Sequence, residues 1–125
     1  MKPKIQQASV LPFSTVIENQ IDLNHPIAIL SKKIRWSIFE GAFTKLYSQG
    51  MGRPAKPIRL MTSLLILKHV RNLSDESVVE QWSENIYYQY FSGEQFFVTK
   101  QPCEASELVH FRHRIGSEGI ELILK

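Results

Sequence analysis

Ser106, His110 and His113 recur at spacings of four and three residues, with Arg112 and Arg114 beside them. Hydroxyl, imidazole and guanidinium groups are the set that reads base edges and grips phosphates when a helix lies in the major groove of DNA. A second cluster is basic: Arg53, Lys56 and Arg59 fall in and just after the connector Arg53-Pro54-Ala55-Lys56-Pro57. An extended basic arm of that kind suits a narrow A·T-rich minor groove. Lys32, Lys33 and Arg35 form a third cluster, placed to face phosphate. Each cluster has a plain structural alternative. The first is equally a solvated amphipathic helix whose flank arginines pair with Glu104, Glu107 or Asp75. The second is equally a stiff interhelical link, and the third ordinary solvent-facing charge opposite a buried stripe. Residue types and spacing leave both readings of each cluster open.

No catalytic or metal-binding set accompanies them. Cys103 and the histidines His25, His69, His110 and His113 lack zinc-finger spacing. Glu80 with Glu84, and Glu118 with Glu121, sit at the helical spacings of solvated faces, whereas two-metal phosphoryl transfer needs carboxylates converging from separate elements. Glycine-rich phosphate loops are missing too. The expectation is therefore no catalytic residue, no metal, no cofactor and no small-molecule substrate. Trp36, Phe39, Phe43, Trp82, Tyr87, Tyr88, Tyr90 and Phe91 resemble a stacking platform for single strands in composition. Their helical spacing favours core packing, with only one of Tyr87 and Tyr88 facing inward.

The elements that must position these groups are helical. In 125 residues, 43% apolar and 22% charged side chains suit one globular domain rather than a disordered chain. A single cysteine forms no internal bridge and fits a reducing, cytoplasmic setting. Apolar stretches such as Leu64 to Leu67 are far short of the roughly 20 residues of a membrane span. Net charge is +3 but unevenly spread: residues 1–60 carry nine Lys/Arg against three acids, a balance of +6, and residues 61–125 six against nine, a balance of −3. A basic amino-terminal half is what phosphate contact requires, although clustered solubility charge looks the same.

Residues 1–25 lack periodicity and read as an arm tied down at a few points. Pro26 opens a helix, and Ser31 is placed to cap the next, whose stripe is Trp36, Phe39, Phe43 and Leu46. After the basic connector, Pro57 starts a central helix to about Asn72 with hardly any polar face. Asn72-Leu73-Ser74-Asp75 turns the chain into one helix running through Val78, Val79, Trp82, Ile86 and Tyr90 to Ser92-Gly93. Residues 104–115 form a short helix with Leu108, Phe111 and Ile115 on one side, closed by Gly116. Gln95 to Thr99 is at most a short extended piece. The class is all-α, a compact multi-helix domain with a helix-turn-helix-like three-helix unit.

Six segments in register carry a resemblance: Gly52-Arg53-Pro54, Pro57-Ile58-Arg59-Leu60-Met61, Leu64-Leu65-Ile66-Leu67-Lys68, Asn72-Leu73-Ser74-Asp75-Glu76, Tyr90-Phe91-Ser92-Gly93 and Phe111-Arg112-His113-Arg114-Ile115-Gly116. With Asn24-His25-Pro26 before them and Gly116-Ser117-Glu118-Gly119 after, they resemble the amino-terminal domain of InsH-like bacterial insertion-sequence transposases. The resemblance implies a bacterial protein that binds the double-stranded terminal repeats of a mobile element. In that family, metal-assisted chemistry is carried out by three carboxylates on a ribonuclease-H-like domain downstream of the matched region. It divides the chain into the arm 1–25, a helical domain 26–116, and a segment 117–125 that begins the connection to a catalytic domain. On this reading the chain is a truncated, non-catalytic DNA-binding fragment. Residues 117–125, apolar at Ile120, Leu122, Ile123 and Leu124, are expected to fray or to dock against another molecule. The alternative is an oligomerisation or regulatory module that contacts a second copy or a full-length transposase, or a remnant without function. The chain departs from the family at Glu104-Ala105-Ser106-Glu107, where Asp-Pro-Ser-Ser is common, and two acids there suit a helix start but repel phosphate. Ile86 stands where proline is common.

Overall fold

The computed structural model describes residues 16–48 and 56–124, and every regular element among them is helical. A single 3-10 turn, Ile17–Asn19, precedes six α-helices. The first, α1 (Pro26–Lys33), opens on a proline whose φ is preset for a helix, and the Nδ1 of His25 accepts the Ile27 N–H at 3.1 Å. Ser31 does not cap the next helix as its position had implied. It is buried within α1, and its carbonyl accepts the Trp36 indole N–H at 3.1 Å, which joins α1 to α2 (Trp36–Ser48). Along α2, Phe39 and Phe43 are buried while Trp36 and Leu46 pack at the margin of the core.

The central helix is α3 (Ile58–Arg71), in which every residue from Leu60 to Leu67 is buried, Thr62 and Ser63 included. Burying each large apolar side chain contributes about 1.5–3 kcal/mol, so this run organises the rest. Asn72, with φ 57°, ends the helix in the left-handed conformation that asparagine tolerates better than most residues. The Ser74 hydroxyl then accepts the Ser77 N–H at 3.0 Å and starts α4 (Asp75–Trp82).

The single helix expected from Val78 to Tyr90 is two helices. Asn85 is extended, and its side-chain oxygen accepts the N–H groups of Tyr87 and Tyr88 at 2.9 and 3.1 Å, opening α5 (Ile86–Phe91) in a new direction. Apolar periodicity survives the break, which is why spacing alone joined the two; an asparagine that competes for backbone donors separates them. Between α5 and the last helix the chain is irregular, and Gln95 to Thr99 forms no strand. There the Gln95 carbonyl accepts the Ile17 N–H at 2.8 Å, so the amino-terminal segment is pinned by a fully buried Ile17.

The last helix is α6 (Ala105–Leu124), with Leu108, Phe111 and Ile115 directed into the core and Phe111 edge-on to Phe43 at 5.8 Å. Gly116 closes the first of its two helical runs, as expected, and the chain kinks there. At φ 68° and ψ −175° the backbone takes a conformation that side chains disfavour, and the helix resumes beyond it. Residues 117–124 are helical, with Ile120, Leu122 and Ile123 packed against the core and Leu124 exposed. Helices α3, α4 and α6 each pack against the other two, and α2 closes over α3 and α6.

Candidate nucleic-acid interface

The start of α6 is set by one half of a capping box. The Glu107 carboxylate reaches back to accept the Glu104 N–H at 2.8 Å, so one of the two acids that replace the common family pattern serves the backbone. Because Leu108, Phe111 and Ile115 anchor the inner stripe, Ser106, His110 and His113 emerge together on the outer side, all exposed. Arg114 sits half-buried on one flank.

On the other flank, Arg112 turns toward α4. Its Nη1 and Nη2 donate to the two Asp75 oxygens at 2.8 and 3.1 Å, a bidentate pair, and the Lys68 ammonium approaches the same carboxylate at 3.7 Å. Hydrogen bonding from Arg112 outweighs the effect of burial and holds the Asp75 carboxyl below its ordinary range, while the same bond raises the Arg112 guanidinium. The pairing of a flank arginine with Asp75, one of the structural alternatives, therefore holds for Arg112.

Arg59 also faces inward. Its guanidinium carbon lies 4.4 Å from the centroid of the Trp36 ring, and its Nε and Nη2 donate to the Phe91 carbonyl at 3.4 and 3.1 Å. Ser63 donates to the same carbonyl at 3.3 Å. Gly93, at φ 90°, lets the chain turn beside this arginine, and a Cβ there would stand 3.1 Å from Arg59 Nε. Desolvation lowers the Arg59 pKa, yet a guanidinium keeps its charge throughout the physiological range. Lys56 is half-buried near Cys103 at the beginning of α6. Burial pushes the Cys103 thiol up to about 11, with the charge of Lys56 working against that rise. Lys32 and Lys33 are exposed in the last turn of α1, and Arg35 follows them, also exposed. Arg53 lies outside the described residues.

The structure thus gathers Ser106, His110 and His113 on one face, sets Lys56 near the start of the same helix, and keeps Lys32 and Lys33 on a different element. Trp82, Tyr88, Phe43 and Phe91 are core residues, and of the adjacent tyrosines it is Tyr88 that is buried while Tyr87 stacks on His25 at 3.8 Å. One polar group escaped sequence reasoning. Gln89 is fully buried and pairs with Val98 through both ends of its amide, accepting from N–H at 2.7 Å and donating to C=O at 2.6 Å. Its signal in the sequence was an uncharged amide amid the aromatic run Tyr87-Tyr88-Gln89-Tyr90-Phe91.

Among the described residues, no three His, Cys, Asp or Glu side chains are grouped to hold a metal ion, and no helix is long and apolar enough to cross a membrane. What the fold and this surface define is a small all-helical domain presenting one polar helix face. The chain belongs to the family described as "Transposase domain (DUF772)", whose model matches residues 15–114. It is 48% identical over 96 residues, 77% of its length, to the uncharacterized protein ORF8 in the nfe locus of Rhizobium meliloti, and spans 46% of that relative. No solved structure matches it.

Proposed function

We propose that this transposase-family domain binds the double-stranded terminal repeats of an insertion sequence, with the outer face of α6 in the major groove and no strand-cleaving activity of its own. The observation that carries this reading is the joint exposure of Ser106, His110 and His113 on a helix whose opposite stripe is locked into the core. The mutual packing of α3, α4 and α6 supports the reading, because three-helix DNA-binding units present their last helix to the major groove. Arg114 would add a contact from its flank. Lys56, together with Arg53, Lys32 and Lys33, would supply phosphate contacts, which orient the protein without reading sequence. Arg59 and Arg112, held by Phe91 and Asp75, act chiefly by positioning the surface.

Titration by fluorescence anisotropy against terminal-repeat and scrambled duplexes tests this. His110→Ala and His113→Ala are expected to weaken repeat binding by about 1–3 kcal/mol for each base edge no longer read, with less effect on scrambled DNA. Lys56→Ala should weaken both alike and make the salt dependence shallower, because fewer counterions are released. Folded α6 variants that keep both affinity and preference refute the assignment, and a dimer that shifts neither duplex favours the assembly role instead.

A further inference from the structure

Three of the large apolar side chains that the chain leaves exposed, Ile38, Val70 and Leu124, come from three different helices yet line one groove of about 410 Å³. Its floor includes Ile34, Phe39 and Ile66, from the α1–α2 corner, α2 and α3. Among the described residues none covers this surface, although the chain beyond the kink at Gly116 brings the end of α6 along its edge. Apolar side chains left together in water cost free energy that a partner recovers by covering them.

The rim says which partner. Lys33, Arg35 and His69 line the groove and, among the described residues, no carboxylate does. All three are exposed, and none has an ion-pair partner among the described residues. Duplex DNA would meet the rim with phosphates but would set charged, hydrated groups against Ile38, Val70 and Leu124. An amphipathic helix meets both demands, with apolar residues at i, i+3, i+4 and i+7 entering the groove and acids at its borders.

We propose that this groove receives the apolar face of an acidic amphipathic helix from a partner protein. The groove shares only Lys33 with the proposed DNA contacts and lies apart from the outer face of α6, so the inference, tested without DNA, does not depend on the DNA reading.

The probe is a labelled helical peptide with leucines at i, i+3, i+4 and i+7 and glutamates on its other faces, compared with its twin in which every glutamate is lysine. Against the full chain, saturable binding of the glutamate peptide is expected, at least roughly tenfold tighter than that of the twin. Val70→Ser and Ile38→Ser, at sites 51% and 47% exposed, should each weaken it several-fold while circular dichroism and melting temperature stay unchanged. Arg35→Glu should narrow the gap between the two peptides. Failure of both peptides to bind, or equal binding of both, overturns the proposal. So does duplex DNA binding that Val70→Ser weakens, or a dimer in light scattering that Val70→Ser dissociates, since these assign the groove to nucleic acid or to a second copy.

Discussion

Similar polar groups meet opposite fates behind Phe91-Ser92-Gly93 and on the outside of α6. In the first region the Trp82 indole donates to Ser92 Oγ at 2.9 Å, that hydroxyl donates to the Tyr88 carbonyl at 2.9 Å, and the Gln89 amide donates to the Trp82 carbonyl at 3.1 Å as well as bridging Val98. The side chains of Trp82, Gln89 and Ser92 are buried there, and their polar atoms are matched. In the second, Ser106, His110 and His113 point into solvent, where water satisfies them and a ligand can replace that water. A polar group consumed by the fold stabilises it, and one left over is free for recognition. The most recognisable motif residues, Arg59 and Tyr90-Phe91-Ser92-Gly93, belong largely to the first region, while the candidate DNA-facing groups are ordinary surface residues.

The widest gap between the regions should appear on truncating Gln89. Gln89→Ala strands the Val98 N–H and C=O groups, and a loss on the order of 3 kcal/mol is expected in urea unfolding. A loss under about 1 kcal/mol would mean that water substitutes easily and that the buried region is less closed than its geometry implies.

The Asp75–Arg112 pair lies between the extremes, partly buried and tying α4 to α6. Asp75→Asn should cost about 1–2 kcal/mol at neutral pH. Since Arg112 depresses the folded-state carboxyl pKa, the contribution is full above about pH 4, where an unfolded aspartate is ionised, and fades as pH falls through the lower folded value. Stability curves of the two proteins should therefore converge below about pH 4. Parallel curves would show that the pair contributes geometry rather than charge.

At the small end, Ser106→Ala, His110→Ala and His113→Ala should each change stability by no more than about 0.5 kcal/mol. A larger loss from any of them would place that side chain in the first region and remove it from the proposed interface.

Much of the fold is legible in the sequence. The Phe39 and Phe43 stripe, the nearly all-apolar α3, the proline before it, Asn72 and Ser74 after it, and the inward face of α6 all follow from local periodicity and capping chemistry. What misled was equally local. Asn85 breaks a helix through a side-chain bond that leaves the apolar period intact. The candidate site was half legible: spacing placed Ser106, His110 and His113 on one side, but it could not say which arginine would be spent internally.

The sequence by itself determined that the chain is helical, which faces are apolar and which family it joins, because helix period, caps and motif order depend on neighbours a few positions apart. Only the tertiary structure decided which donors remain outside. Arg59 finds its carbonyl 32 positions away at Phe91, and Arg112 its carboxylate 37 positions away at Asp75. A guanidinium looks the same in sequence whether it faces an acceptor or the solvent. The packing of α3, α4 and α6 brings those acceptors within about 3 Å and, among the described residues, leaves none opposite His110 or His113, and that proximity separates a structural residue from one free to bind.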